Sequence, residues 1–205
     1  MTPKHPTALH LVMHAAAVRK HGELPAIAAV SGLPAAVVRR ELDWAVTHGR
    51  LAEAGGRYLL TPAGQMILLG EYSRFCDALR ANASFTAAYE RFEVINRELK
   101  QIVTDWQTME VGGRRVPNDH ANRDHDARVI DRLGDLHERF EPVLKQLIAA
   151  VPRLGHYAKA LAHALDRAEA GEIAWVSDVK LDSYHTVWFE LHEELLRLMG
   201  RARPE

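Results

Sequence analysis

Between residues 85 and 106 the apolar side chains Phe85, Tyr89, Phe92, Ile95, Leu99, Ile102, Val103 and Trp106 recur every three or four positions. That spacing follows the 3.6-residue turn of an α-helix and not the two-residue alternation of a strand. With Ser84 as its cap, such a helix covers about 25 residues and extends roughly 37 Å at ~1.5 Å per residue. A rod of this length with one apolar side must bury that side against other helices, which commits the chain to a mainly α fold.

The remaining pattern beyond residue 63 agrees. Met66, Leu69, Phe75 and Leu79 mark a helix before the long one. A polar loop is expected from Val111 to Asn122, around Gly112-Gly113 and Pro117. Val129, Ile130, Leu133, Leu136, Phe140, Leu144, Leu147 and Ile148 mark the next helix, which Pro142 should kink or split. Pro152 opens another, with Leu154, Tyr157, Leu161 and Leu165, and Ala170-Gly171 ends it. A last helix is expected from about Ser177 to Met199, apolar on nearly every side. Short connections favour antiparallel neighbours, so residues 71–205 read as an α-helical bundle.

The first 70 residues are organised differently. Leu9, Val12, Met13, Ala16 and Ala17 mark one helix, closed at His21-Gly22. A short helix follows from Leu24-Pro25 to Ser31-Gly32, and a longer one runs from about Pro34 to His48. Two helices around a glycine-containing turn, the second one longer, have the form of a helix-turn-helix. Residues 50–54 and 57–60 then flank Gly55-Gly56, a dipeptide suited to a two-residue hairpin turn. Thr61-Pro62 has the chemistry of a helix cap and first turn. Charge divides along the same line: residues 1–64 carry seven Lys/Arg against four acids, while the rest carries 19 against 23.

The run GRLAEAGGRYLLTPAGQMIL, residues 49–68, resembles the wing and following helix of the PadR and MarR-like winged-helix regulators. The similarity covers about residues 9–70. It implies a winged helix-turn-helix DNA-binding domain over 1–70, and a dimerisation and effector-sensing domain over 71–205. On the third helix Val38, Leu42, Ala45 and Val46 form a core-facing stripe, which leaves Ala35, Ala36, Arg39, Arg40 and Asp43 outside. A recognition helix presents such residues to the major groove, where a guanidinium binds guanine or phosphate. Ala35 and Ala36 permit close approach, and Arg50 and Arg57 are placed for phosphates.

In the body, His185, Trp188 and His192 share one side of the last helix. With Trp106, Phe140, Tyr157 and Tyr184 they are candidates to line an effector pocket. The segments Asn118-Asp119-His120 and Asp124-His125-Asp126 are unusually dense in possible ligands. Three readings of the histidines stand open: ordinary hydrogen-bonded residues, effector contacts, or a metal site built from His125, His137, His185 and His192. No Gly-rich phosphate loop, Gly-x-Ser-x-Gly elbow or His-Glu-x-x-His motif is present, so no enzyme activity and no cofactor are expected.

A lone cysteine, Cys76, excludes an internal disulfide and a Cys-rich zinc site. No apolar run approaches the ~18 residues of a membrane span, and residues 1–7 lack a secretory layout, so a cytoplasmic protein is expected. The functional expectation is a transcriptional regulator: a homodimer on double-stranded DNA that answers to a small molecule. Its dimer seam is expected along the 84–109 helix or the last one. The rival is a metal-binding helical-bundle protein, enzymatic or not, whose winged helix serves protein contacts.

Overall fold

The computed structural model describes residues 5–202. It is mainly helical with small antiparallel sheets. Two compact units are present: the chain up to Ala83 together with residues from Glu190 onward, and Ser84–Phe189.

The first unit opens with α1 (Ala8–Arg19), whose N-cap Thr7 accepts a hydrogen bond from His10 N at 3.1 Å. It continues with β1 (Gly22–Glu23), α2 (Leu24–Ser31) and α3 (Ala35–Thr47), the last two joined through Gly32 in the left-handed conformation. Then come β2 (Leu51–Ala54), β3 (Arg57–Leu60) and α4 (Pro62–Arg80). Strands β2 and β3 pair antiparallel from Leu51↔Leu60 to Ala54↔Arg57. Gly55 and Gly56 turn between them at φ +59 and +78, a geometry that excludes most side chains and explains the dipeptide. Beyond expectation, β1 adds to the free edge of β3, giving the order β1-β3-β2. Two residues are too few to show any alternation, so nothing in the sequence announced it.

One core holds these elements. Val12, Ala15, Ala16, Ile27, Val30, Val38, Leu42, Ala45, Leu51 and Tyr58 are all buried in it. Thr61 caps α4 as anticipated, accepting from Gly64 N at 3.0 Å.

The second unit contains α5 (Ala83–Gln107), β4 (Thr108–Val111), β5 (Arg114–Pro117), α6 (Arg123–Ala150), a 3-10 turn at Pro152–Leu154, α7 (Gly155–Glu169) and α8 (Ala174–Ser177). The final helix, α9 (Tyr184–Met199), begins in this unit, and its residues from Glu190 belong to the first. Phe92, Phe140 and Trp188 pack ring against ring at 4.5–5.9 Å between centroids. The Trp188 indole donates to Asn96 Oδ1 at 3.0 Å in this buried setting.

Several expectations are corrected. Ser84 does not precede the long helix; it lies inside the first turn of α5. The stretch 111–122 is not all loop: β4 and β5 pair from Thr108↔Pro117 to Val111↔Arg114, around Gly112 and Gly113 at φ +59 and +75. The turn repeats that of Gly55-Gly56, and the flanking Thr108, Val111 and Val116 supply β-favouring side chains. Pro142 does not split α6, because Phe140, Val143 and Leu144 are buried on either side of it and hold the helix across one missing hydrogen bond.

The last helix begins at Tyr184, not near Ser177. Asp178 turns the chain there, its Oδ1 accepting from Lys180 N at 2.8 Å, which is the local bonding that competes with a helix. Val179, 83% exposed, and Leu181 therefore lie outside it; from Tyr184 to Met199 only Phe189 is exposed, as a helix apolar on nearly every side requires.

Candidate nucleic-acid interface

Helix α3 is divided along its length. Val38, Leu42 and Ala45 have no exposed surface, whereas Ala35, Ala36, Arg39, Arg40, Asp43 and Thr47 face solvent. Val46, expected in the apolar stripe, is half-buried at its edge. At 100° per residue, Asp43 stands near the middle of the exposed arc, with Arg39 and Arg40 on either side of it. Pro34 stands at the N-cap and offers no side-chain cap. Val37 N and Val38 N turn back to Pro34 O, so the amides of Ala35 and Ala36 are open beside methyl side chains. A helix start of this kind attracts an anion.

The four arginines differ in how they are held. Arg39 makes no ion pair among the described residues. Arg40 donates through Nη2 and Nε to Glu41 Oε1 at 2.8 and 3.1 Å, yet its side chain is 70% exposed. Arg57, on β3, lies 3.3 Å from Glu23 in an exposed pair. Such surface pairs are worth about 0–1 kcal/mol, less than a desolvated arginine–phosphate or arginine–guanine contact, so neither carboxylate holds its arginine back. Arg50 is half-buried, with its guanidinium 4.8 Å from the Trp44 ring.

Trp44 and His48 form a second feature of this surface, one not foreseen from the sequence. Their rings stack at 3.8 Å and 16°, and His48 Nδ1 donates to Trp44 O at 2.8 Å. Trp44 is still 39% exposed, and it fixes Arg50 at the far end of α3. The spacing of four between Trp44 and His48 was the available signal. Across the hairpin turn, Glu53 Oε1 accepts from Gly56 N at 2.6 Å, so this acid is occupied in shaping the turn.

Of the residues expected to line an effector pocket, three are packed on one another and none lines a described cavity. Phe140, Tyr184 and Trp188 are fully packed together, and the Tyr184 hydroxyl shares a 3.1 Å hydrogen bond with His137 Nδ1. Burial pushes the Tyr184 hydroxyl pKa far up and the His137 pKa down. Trp106 is buried against the His120 ring at 4.5 Å, and Tyr157 is buried beside His156. His185 is half-buried, its pKa lowered by desolvation. His192, fully buried, belongs to the first unit. All of the expected lining side chains but His185 are buried.

The histidines of the metal reading are equally separate: His125 bonds Asp105 O at 2.9 Å, and His137 bonds Tyr184. Among the described residues, no three His, Cys, Asp or Glu side chains gather to hold a metal ion. Nor is any helix among them long and apolar enough to cross a membrane. Compared with protein-family models, with curated proteins and with solved structures, the chain finds no significant match.

Proposed function

We propose that this protein is a DNA-binding transcriptional regulator, with residues 1–70 acting as a winged helix-turn-helix and α3 as its recognition helix. One observation carries the reading: α3 buries Val38, Leu42 and Ala45 while presenting Arg39 and Arg40 to solvent beside the small Ala35 and Ala36. In this reading Arg39 and Arg40 read base edges, Asp43 between them accepts from a cytosine amino group, and the open amides of Ala35 and Ala36 meet a phosphate. Arg50, steadied on Trp44, and Arg57, beside the β2–β3 turn, contact the backbone on the flanks; the β2–β3 hairpin is the wing. The second unit, a helical bundle, dimerises and senses a small molecule. Exposed apolar side chains on its long helices, Val94 on α5 and Phe189 on α9, support a seam there. Two-fold symmetry would then set two copies of α3 on paired half-sites.

Selection from a random duplex library, followed by fluorescence anisotropy on the enriched duplex and a scrambled one, tests this. Each bidentate arginine–base pair is worth about 1–3 kcal/mol, so Arg39→Ala/Arg40→Ala should cut discrimination between the two duplexes by about 30-fold or more. Arg57→Ala should weaken both duplexes alike and lower the salt dependence by about one phosphate contact. Unchanged discrimination in a folded double variant, or a selection that enriches nothing, refutes the assignment.

A further inference from the structure

The ligand-dense segment 118–126, which the DNA reading does not use, builds a side-chain dyad at the edge of a cleft. Asp126 is 5% exposed and lies in the first turn of α6. Its Oδ1 accepts from Asn118 Nδ2 at 2.8 Å, and its Oδ2 lies 3.0 Å from His120 Nδ1. A carboxylate only accepts, so His120 carries a proton on Nδ1, and in the tautomer with that single proton Nε2 is left as an acceptor. The ring lies 4.5 Å from that of Trp106 between centroids, and the backbone at His120 is in the left-handed region, φ +60. His120 and Asp126 both line a half-open cleft of about 720 Å³ in the second unit. That volume is in the range of small-molecule sites, ~300–1,000 Å³.

The rest of the lining states what would fit. Ile130, Ala168 and Ile173 give an apolar floor, and Ile173 is 40% exposed. Around it stand Asp131 and Glu169, both exposed, with Arg123. Counting Asp126, three carboxylates face one guanidinium, so the cleft is negative. A metal cation is not the match, because no three ligating side chains converge among the described residues. We propose that the cleft binds a small organic cation: an amine whose ring or short alkyl body covers Ile130 and Ile173. Its ammonium lies between Asp131 and Glu169 and donates to His120 Nε2. Such a ligand would serve as the effector of the regulator proposed above, but its binding does not depend on α3 touching DNA, and the test omits DNA.

The full chain is titrated with 2-phenylethylamine, 2-phenylethanol and 3-phenylpropionate, matched in size and differing in charge, and followed by amide chemical shifts and calorimetry. The amine is expected to bind saturably and shift amides of residues 120–131 and 168–173. The alcohol should bind at least about five-fold more weakly and the carboxylate more weakly still. Asp131→Asn and Glu169→Gln, isosteric changes at exposed positions that leave the melting curve unchanged, should each weaken the amine by about five-fold, the equivalent of ~1 kcal/mol for one partly exposed charge contact. His120→Ala should weaken the amine more than the alcohol. Absence of saturable amine binding, equal or tighter binding of the carboxylate, shifts centred elsewhere, or indifference to Asp131→Asn and Glu169→Gln overturns the proposal.

Discussion

Two glycines of the same helix should answer the same substitution with opposite signs. Gly64 is buried in the first turn of α4, and a Cβ built on it would lie 1.9 Å from the Arg50 carbonyl oxygen and 2.8 Å from the Arg50 carbonyl carbon. Ordinary C···O approach stops at about 3.3 Å, so α4 or the chain at Arg50 must move by more than 1 Å, roughly. Neither is free to do so. The Arg50 carbonyl accepts from Thr61 N at 3.1 Å, the Thr61 hydroxyl donates to Gly49 O at 2.6 Å, and the same oxygen accepts from Gly64 N at 3.0 Å.

Separating the two segments gives up hydrogen bonds worth about 0.5–1.5 kcal/mol each and a helix cap worth ~1 kcal/mol. Better helix propensity returns at most ~1 kcal/mol. Gly64→Ala should therefore destabilise by about 2–3 kcal/mol. Gly70 is in mid-helix and exposed, with nothing within 4 Å of its Cβ position, so Gly70→Ala should stabilise by about 0.5–1 kcal/mol. Urea unfolding followed by far-UV circular dichroism measures both. A Gly64→Ala protein as stable as wild type, or two shifts of the same sign, would show that the close contact between α4 and Arg50 is not what requires glycine. Because Arg50 is one of the proposed phosphate contacts, Gly64→Ala should also weaken DNA binding without touching an arginine.

Asn96→Ala should cost about 1–3 kcal/mol, since it leaves the buried Trp188 indole N–H without its acceptor; a double-mutant cycle with Trp188→Phe should recover most of that as coupling, and additive losses would refute the bond's role. Burial lowers the pKa of His137 and, independently, that of His185, so the unfolded chain binds protons at these sites more readily than the folded one. Stability should accordingly fall as pH drops through the ordinary histidine range near ~6.5, and this contribution should level off below the folded values. The urea midpoint at neutral and at mildly acidic pH reads the effect, and His137→Gln/His185→Gln should flatten it. An unchanged pH slope in that variant would show that neither imidazole is held neutral by burial.

Helices were legible wherever one face stayed apolar for several turns. The stripe from Phe85 to Trp106 is buried as its spacing required, and Val38, Leu42 and Ala45 lie under α3 as the third helix demanded. Glycine pairs were equally informative: Gly112-Gly113 carries the same positive-φ turn as Gly55-Gly56. Its flanking strands are mostly exposed, so no apolar alternation marked them. Burial of polar groups left no trace at all. On α1, His10 bonds Glu71 at 2.9 Å and His14 bonds the Tyr72 hydroxyl at 2.7 Å. Both are contacts across about 60 residues of chain, and a local periodicity contains no information about such partners.

The same distinction separates the two candidate ligand sites. Aromatic residues at helical spacing are required by a core whether or not a ligand exists, and Phe140, Tyr184 and Trp188 satisfy that requirement on one another. A core so packed has no room for an effector without first being taken apart, at about 3–5 kcal/mol for each large ring displaced. Acids, amides and histidines crowded into residues 118–126 answer no such requirement, since polar groups gain nothing from burial unless they are paired. One of them, Asp126, is buried nevertheless, and the two donors that compensate it, Asn118 and His120, come from the same short segment. One buried carboxylate thus both holds Asn118, which also donates to Trp106 O at 2.9 Å, and orients an imidazole at the edge of a cleft. His120 lines open space whereas Phe140, Tyr184 and Trp188 are packed on one another, which is the physical ground for placing the ligand at His120 and not among those rings.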